Sequence, residues 1–374
     1  MRADAIEAML PFFAERFANP SGSHRFARDA RRAVDEARDR VAAALGVRPG
    51  EIVFTGCGTE SDNAAIVGAL SNGGNAVCAA AEHHAVLHTV EHTDGRVVRA
   101  DACARVDLDE LAAALGPDVA IVSVMAVNNE VGSVTDLAAV SELVRERAPN
   151  ALFHTDAVQA APWLDLRAIT PLVDLMSLSA HKFGGPKGVG VLTVREGVRL
   201  APLIMGGGQE RERRSGTHNV AGIVALAEAL SITDAERDRE NERLGTLRDR
   251  LVDGITAQVE GVRETVPRNA KVAGSAHVCI AGIESEALLY LLDEAQVCAS
   301  AASACASGAM EQSHVLTAMG VDSEWARGAL RMSLGYTNIA ADVDRAVDVV
   351  VDAVVRLRRA GSRRAVSRSG VGLS

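Results

Sequence analysis

The sequence predicts an α/β fold with a mostly parallel sheet covered by helices on both faces. Short apolar runs alternate with helix-length segments through the first two thirds of the 374-residue chain, an order typical of repeated strand–helix units. In such sheets ligands bind beyond the carboxyl ends of the strands. We therefore expect the functional residues directly after the apolar runs, which lie at 51–54, 76–79, 119–125, 152–154 and 173–178.

Length and composition predict more than one domain. A chain with 48% hydrophobic residues can bury a large core, and 374 residues suit one large and one small domain better than a single unit. The charged, helically spaced stretch 234–250 marks the start of the second domain. We expect a large domain over 1–233, a smaller C-terminal α+β domain over 234–357 and, because Arg, Ser and Gly leave little to bury, a disordered tail over 358–374.

Charge and cysteine usage exclude several functions. A net charge of −10 argues against a general nucleic-acid or anionic-membrane surface. We find neither the apolar core of a signal peptide nor a segment long enough to span a bilayer, and we expect a cytoplasmic protein. The six cysteines form no Cys-x-x-Cys pair and have no His partner at zinc spacing, so we expect neither a metal site nor a disulfide framework.

Lys182 is the leading candidate for chemistry. It is one of only three lysines, with Lys187 and Lys271, in a chain of 39 basic residues that are otherwise arginine. An ε-amine can lose its proton in a buried site and condense with an aldehyde, whereas a guanidinium cannot. Lys182 follows an apolar run and precedes the Gly-rich segment 183–190, which predicts a strand-end position facing a cleft. The alternative is an ordinary surface lysine.

Polar residues after the other strands suggest a site for a phosphorylated ring. Gly58 and Thr59 lie where a strand meets a helix, and free amides at a helix start can bind phosphate; a plain strand-to-helix connection is the alternative. Asp156 could keep a pyridine nitrogen protonated or merely cap a helix. Gln159 could reach the same ring if a helical turn begins there. His83 could stack on it and move protons, or be an ordinary loop residue.

The remaining candidates concern a substrate. Asn129 and Arg331 could hold a carboxylate, for which arginine offers a planar bidentate fork. Cys305 lies among small residues over 298–308, which predicts a mobile loop with an accessible thiol. The alternative is an Ala/Ser-rich helical turn with inert cysteines. We expect Cys298, at the start of this segment, to end a strand and be buried.

Taken in order, eight motifs resemble the pyridoxal-phosphate cysteine desulfurases of the NifS/IscS type, in the class V aminotransferase group. The resemblance covers nearly the whole chain. The segment that contains Ser-Ala-Cys is similar to the longer mobile loop of the first of the family's two subgroups. The motifs are Gly-Thr-Glu-Ser-Asp-Asn at 58–63, Glu-His at 82–83, Asn-Asn-Glu-Val-Gly at 128–132, Asp-Ala-Val-Gln at 156–159, Ser-Ala-His-Lys at 179–182, Arg-Ser-Gly-Thr at 214–217, Ser-Ala-Cys at 303–305 and Arg-x-Ser-Leu-Gly at 331–335.

The resemblance implies a fold-type I enzyme that uses pyridoxal 5′-phosphate. It makes Lys182 the residue that holds the cofactor as a Schiff base, Asp156 the partner of the pyridine nitrogen, Gln159 the contact to the ring oxygen and His83 the stacking residue. The phosphate would be held by the residues at the helix start and after the lysine strand, namely Gly58, Thr59, Ser179 and His181.

The same resemblance implies the substrate and the partners. Asn129 and Arg331 would bind the carboxylate of L-cysteine, and Cys305 would take the sulfur as a persulfide and leave alanine. Thr217 would reach the phosphate bound in the other subunit, which implies a homodimer. The sulfur would pass to an acceptor protein, such as an iron–sulfur scaffold or a tRNA-thiolating enzyme.

Two departures from the family pattern, and two alternatives, accompany this interpretation. The chain begins at Met1, just after the position of the family's opening strand, so we expect an upstream start or an impaired site. Ala302 stands where the loop commonly has Gly, which would stiffen it slightly. The alternatives are another pyridoxal-phosphate reaction, as in an aminotransferase or a selenocysteine lyase, and a catalytically idle scaffold for sulfur assembly.

Overall fold

The computed structural model describes residues 1–301 and 312–369, and the chain divides into two compact units. The first comprises Met1–Arg99, Val106–Asn128 and Thr135–Asp238. The second comprises Ala100–Arg105, Asn129–Val134 and the chain from Arg239 onward. The break after Asp238 falls inside the stretch 234–250, where the sequence predicts the second domain to begin. Nothing in the sequence predicts that the short segments Ala100–Arg105 and Asn129–Val134 belong to the second unit.

The first unit alternates helices and strands. Its elements are α1 (Ala3–Met9), α2 (Arg25–Leu45), β1 (Ile52–Thr55), α3 (Gly58–Leu70), β2 (Asn75–Ala79), α4 (His84–His92), β3 (Arg96–Val98), α5 (Leu108–Ala114), β4 (Val119–Ser123), α6 (Leu137–Arg147), β5 (Leu152–Asp156), α7 (Leu166–Ile169), β6 (Leu175–Ser179), β7 (Gly190–Val194) and α8 (Val220–Thr256), which contains the break between the units.

The strands of this unit form a seven-stranded sheet in the order β1-β7-β6-β5-β4-β2-β3. Neighbours from β6 to β3 pair in parallel, whereas β7 pairs antiparallel with both β6 and β1. The predicted α/β fold with a mostly parallel sheet is therefore confirmed. A parallel pair needs a crossover between its strands, and the helices supply it.

Burial explains why the strands read as apolar runs. Strands of a parallel sheet are covered on both faces, and β6 and β7 are buried at every position. Helix α3 contributes Ile66 to a cluster with Val53, Ile121 and Leu192, all nearly inaccessible to water. Burying an aliphatic side chain of this size contributes roughly 1.5–3 kcal/mol, so this helix is held firmly against the sheet.

The second unit has its own antiparallel sheet, in the order β10-β9-β8. Its last helix continues into the segment 358–374 as far as Ser369. That segment contains five Arg and two Ala residues, which favour helix, whereas the sequence led us to expect disorder there. The elements are β8 (Val262–Glu264), β9 (Ser275–Ile280), α9 (Ser285–Glu294), α10 (His314–Ala318), α11 (Ser323–Ala326), β10 (Ala329–Ser333) and α12 (Ala340–Ser369). Across the described ranges 1–301 and 312–369, no helix is both long and apolar enough to cross a membrane.

A buried ionic cluster links α2 to the edge of the large sheet. The Glu210 carboxylate accepts hydrogen bonds from Arg38 at 2.6 and 2.9 Å and from the Phe54 backbone N–H at 2.9 Å. Its Oε1 atom lies 2.6 Å from His218 Nε2. Burial alone would raise the pKa of Glu210, but the bonds from His218 and Arg38 hold this pKa at about 2. The cluster therefore stabilises the ionised carboxylate.

We expect Arg38→Met to destabilise the fold by about 3–5 kcal/mol, because Glu210 would keep a buried charge without its main partner. The measurement is urea unfolding at neutral pH. Arg40→Met is the matched control, since the Arg40–Glu228 pair is half exposed and should contribute only about 0–1 kcal/mol. Because the pKa of Glu210 is lowered on folding, its contribution is complete above about pH 4.5 and is lost as the pH falls towards 2. Equal losses in the two variants would contradict this.

Candidate active site

The parallel pairing of β5 and β6 places the predicted residues at one edge of the sheet. Asp156, the last residue of β5, is opposite Ser177 of β6. Strand β6 ends at Ser179 and continues into a single 3-10 turn, Ala180–Lys182. Lys182 thus lies at a strand end, as predicted, and it is exposed.

Asp156 is a buried carboxyl in the field of Lys182. Its side chain is 5% exposed and accepts a hydrogen bond from the Val158 backbone N–H at 2.8 Å. Burial raises the pKa of Asp156 to about 6, and the Val158 N–H and the Lys182 charge limit the increase. At neutral pH this group is therefore a carboxylate beside an amine.

Two further side chains converge on Asp156. Carboxyl oxygens of Asp62 and Asp156 and a ring nitrogen of His83 all lie within 4.8 Å of one another. His83 is the N-cap of α4, and its Nδ1 accepts a hydrogen bond from the Ala85 N–H at 3.1 Å. Burial and the neighbouring Asp156 raise the pKa of Asp62 well above its usual value. Two carboxyl groups and an imidazole that converge in this way suit a protonated ring nitrogen, which brings one positive charge.

The start of α3 provides an anion-binding surface next to the end of β6. The helix begins at Gly58, and its N-cap residue, Cys57, makes no side-chain capping bond, so backbone N–H groups there are available to a ligand. A Cβ atom on Gly58 would lie 2.6 Å from Val158 Cγ2 and 3.3 Å from Ser179 Cβ. Glycine is required because this approach is so close.

Ser179, His181 and Thr59 complete the surroundings of that helix start. The Ser179 Oγ atom lies 3.0 Å from His181 Nδ1. Burial lowers the pKa of His181, and the positive charges of Lys182 and Lys187 lower it further. Thr59 is exposed in the first turn of α3. Together with the helix N-terminus, this donor set fits the phosphate group that the resemblance implies.

Gln159 and Thr217 lie in loops of the same unit. Gln159 is half-buried in a turn that follows β5, where a helical turn was one possibility. Thr217 is exposed in the loop before α8. That loop is held by Arg214, whose Nε donates to Glu60 Oε1 at 2.8 Å, while Glu60 Oε2 accepts from the Gly56 N–H at 2.7 Å. The roles assigned to Gln159 and Thr217 stay predictions.

Asn129 and Arg331 both belong to the second unit and contact each other. Arg331 Nη1 donates to the Asn129 carbonyl at 2.9 Å. Burial lowers the pKa of Arg331, and the charge of Glu130 partly offsets this effect. Among the residues that the structure describes, the buried Asn129 Oδ1 atom has no hydrogen-bond partner. A half-buried guanidinium beside an unsatisfied amide oxygen suits a polar ligand.

The segment 298–308 contains two cysteines, Cys298 and Cys305. Cys305 lies outside the described residues, so its role stays a prediction. The expectation that Cys298 ends a strand and is buried is wrong, because Cys298 is exposed in a loop. It stands two residues before Ser300, which forms an isolated bridge with Arg331 rather than a strand.

Sequence reasoning missed the polar residues inside the sheet. His154 is fully buried on β5, between Ser123 of β4 and Ser177 of β6, and Asp62 lies beside it on α3. The available signal was a polar residue inside each of three apolar runs. Such residues need buried partners, but only the strand order shows which residues are partners.

A strand-end amine, a buried carboxylate and an uncapped helix start are the features that a pyridoxal-phosphate enzyme requires. The profile of the Aminotransferase class-V family matches residues 2–346. Cysteine desulfurase IscS of Methanosarcina thermophila is 41% identical over 367 residues, which cover 96% of this chain and 90% of that protein.

Two solved structures are similar in fold. A NifS-like protein superposes with a TM-score of 0.88 at 34% identity and covers 96% of this chain and 97% of its own. SspA in complex with cysteine gives a TM-score of 0.76 at 30% identity, with 91% and 97% covered. This chain belongs to the class V aminotransferase family and, within it, to the cysteine desulfurases.

We expect Gly58→Ala to weaken the binding of pyridoxal phosphate by at least about tenfold, because the added methyl group must displace Val158 or Ser179 at the helix start. Fluorescence titration of the apo-protein with the cofactor measures the affinity. Gly245→Ala is the control, since its added Cβ has only one neighbour, Ala273 Cβ at 3.8 Å. Unchanged affinity in Gly58→Ala would exclude the helix start as the phosphate site.

Proposed function

We propose that this chain uses pyridoxal 5′-phosphate to convert L-cysteine into L-alanine and takes the sulfur as a persulfide on Cys305. The observation that carries the proposal is the strand-end amine of Lys182 in the electrostatic field of the buried Asp156. An amine in this position is suited to a covalent bond with an aldehyde. The family supports the reaction type.

We propose a role in binding the cofactor for each of the following candidate site residues. When bound, the cofactor supplies an electron sink for bonds at the substrate's α-carbon. Lys182 holds it covalently, and Asp156 keeps its ring nitrogen protonated. Gln159 contacts the ring oxygen, and His83 stacks on the ring and moves protons. The phosphate is held by Gly58, Thr59, Ser179 and His181.

Asn129 and Arg331 are proposed to bind the carboxylate of L-cysteine. The burial of Arg331 supports this, because a poorly solvated guanidinium gains most from an anionic partner. A carboxylate only accepts hydrogen bonds, so Asn129 would contact it through its Nδ2 group, and the unsatisfied Oδ1 atom could accept from an N–H or S–H group of the substrate. The relative SspA was solved with cysteine, which agrees with the choice of substrate.

The sulfur transfer balances without an external oxidant. The Cys305 thiolate attacks the substrate sulfur and forms a new S–S bond, while the carbon–sulfur bond of the substrate breaks. The electron pair of that bond stays with the carbon, which takes up a proton and becomes the methyl group of alanine. Cys305 keeps the sulfur as a persulfide, which an acceptor protein then removes.

The proposal includes an assembly and a destination for the sulfur. Thr217 reaches the phosphate bound in the other subunit of a homodimer, which its exposed position before α8 allows. The acceptor is an iron–sulfur scaffold or a tRNA-thiolating enzyme, and the compartment is the cytoplasm.

We expect borohydride reduction of the purified protein to leave a pyridoxyl label on Lys182, and Lys182→Ala to lose both the covalent cofactor and sulfide release. Peptide mapping by mass spectrometry locates the label. Lys187→Ala is the control, because Lys187 is also exposed, in the turn that follows, and should keep the label on Lys182. A label on Lys187 or Lys271 would refute the assignment.

We expect Cys305→Ser to bind L-cysteine but release no sulfide, because the nucleophile is gone while Lys182, Asp156 and Arg331 remain. Sulfide release with a reductant measures this, and mass spectrometry should find one added sulfur on the wild-type peptide that contains Cys305. Cys298→Ser, which removes an exposed thiol of the same segment, should remain active. Sulfide release by Cys305→Ser at the wild-type rate would favour an aminotransferase-like enzyme.

A further inference from the structure

A chain of buried polar side chains runs through the sheet below Asp156. Ser123 of β4 pairs with His154 of β5 in the parallel register. Ser123 Oγ lies 2.8 Å from His154 Nδ1, and His154 Nε2 lies 2.9 Å from Ser177 Oγ on β6. All three residues are at most 1% exposed. None of them has a task in the proposed reaction.

Asp62 connects this chain to Asp156. Asp62 is 1% exposed, and its carboxyl group shares a hydrogen bond with the Ser177 side chain. Its Oδ1 atom lies 3.7 Å from His154 Nε2 and, among the described residues, has no hydrogen-bond partner. Asp62 and Asp156 interact electrostatically, because a carboxyl oxygen of Asp62 lies within 4.8 Å of a carboxyl oxygen of Asp156.

The Asp62–Ser177 hydrogen bond can form in either charge state of Asp62 without moving a heavy atom. Burial lowers the pKa of His154 to about 3, so at neutral pH the ring has one donor and one acceptor nitrogen. If Asp62 is protonated, it donates to Ser177, Ser177 donates to Nε2, and Nδ1–H donates to Ser123. If Asp62 is ionised, all three bonds reverse. The directions of these hydrogen bonds therefore do not by themselves fix the charge of Asp62.

The groups that face Asp62 favour its neutral form. Burial has the largest effect on its pKa, followed by the charge of Asp156 on β5, and both raise the pKa well above the usual value. The Ser177 bond acts in the opposite direction and lowers it. The other titratable neighbours are His154, His83, Cys57 and Glu82. Of these, Cys57 and Glu82 also raise the pKa of Asp62. Asp156 differs because the Lys182 charge favours its ionised form.

We propose that Asp62 is a positioning residue that keeps its proton at neutral pH, so that the Asp62–Asp156 pair carries one negative charge and this charge stays on Asp156. Two carboxylates this close in a buried site repel each other strongly, and a single ring N–H⁺ can neutralise only one of them. The inference rests on the proposed function, in which Asp156 faces the ring nitrogen of the cofactor.

The test is infrared spectroscopy of the full-length holoenzyme containing isotope-labelled aspartate. The label separates aspartate carboxyls from the buried Glu82, whose pKa burial also raises. Near neutral pH we expect the C=O stretch of a protonated aspartate in the wild type, but not in Asp62→Asn. Asp174→Asn is the matched control: Asp174 is buried next to β6 but paired with Arg145 at 2.8 Å, so the band should remain.

A pH titration of the cofactor's absorbance adds an independent measurement. An asparagine amide is neutral, like the protonated carboxyl it replaces. Asp62→Asn should therefore keep the pH midpoint of the absorbance titration within a few tenths of a pH unit of the wild-type midpoint. If Asp62 were ionised, the substitution would remove a nearby negative charge and lower the midpoint by about one unit or more. That outcome, or a wild type without the band, or a band that persists in Asp62→Asn, overturns the proposal.

These readouts do not depend on sulfur chemistry. A band assigned to Asp62 together with no sulfide release from L-cysteine would reject the proposed function and keep the charge assignment. Sulfide release with no protonated aspartate would do the reverse. Because the wild-type band is measured without any substitution, the proposal remains testable even if Asp62→Asn does not fold.

Discussion

The parallel pairing of β5 and β6 is the constraint on which the active site depends. Parallel strands end at the same edge of a sheet, so Asp156 and the turn after Ser179 are held side by side by backbone hydrogen bonds. Antiparallel pairing would place their ends at opposite edges. Lys182 therefore comes within the electrostatic reach of Asp156 without any flexible element between them, which is the preorganisation that catalysis requires.

Burial gives this edge its chemistry. In water Asp62, His154 and Asp156 would titrate near their ordinary pKa values, but burial raises the pKa of both carboxyls and lowers that of the imidazole. Each shift suppresses a charge that the interior cannot solvate. Asp156 remains ionised at neutral pH because, within the described part of the chain, it alone of the three has its pKa lowered by a cation, Lys182. The sheet therefore concentrates negative charge at a single position.

The three lysines of this arginine-rich chain lie in different environments. Lys271 is buried in the second unit, where Nζ donates to Glu264 at 2.5 Å, and burial lowers its pKa. This lysine has a structural ion pair, so the scarcity of lysine did not by itself mark catalytic amines. Elsewhere, as between Arg38 and Glu210, bidentate guanidinium groups hold buried carboxylates. Only the strand-end position separates Lys182 from the other two.

The sequence by itself determined the α/β fold, the mostly parallel sheet and the strand-end position of Lys182 and Asp156. These follow from local patterns, because apolar runs of strand length alternate with helices and strand-end residues follow directly in the chain. The same reasoning misplaced Cys298, since an apolar neighbourhood in sequence does not fix burial.

Only the tertiary structure showed that Ser123, His154, Ser177 and Asp62 form one buried chain. Their positions span more than a hundred residues. Ser123, His154 and Ser177 each read as an isolated polar residue in an apolar run, and Asp62 reads as one of several polar residues at a helix start. The assignment of Asn129 and Arg331 to the same unit was likewise invisible, because no local pattern links residues so far apart. Strand order and register decide such contacts, and they depend on how the whole sheet assembles.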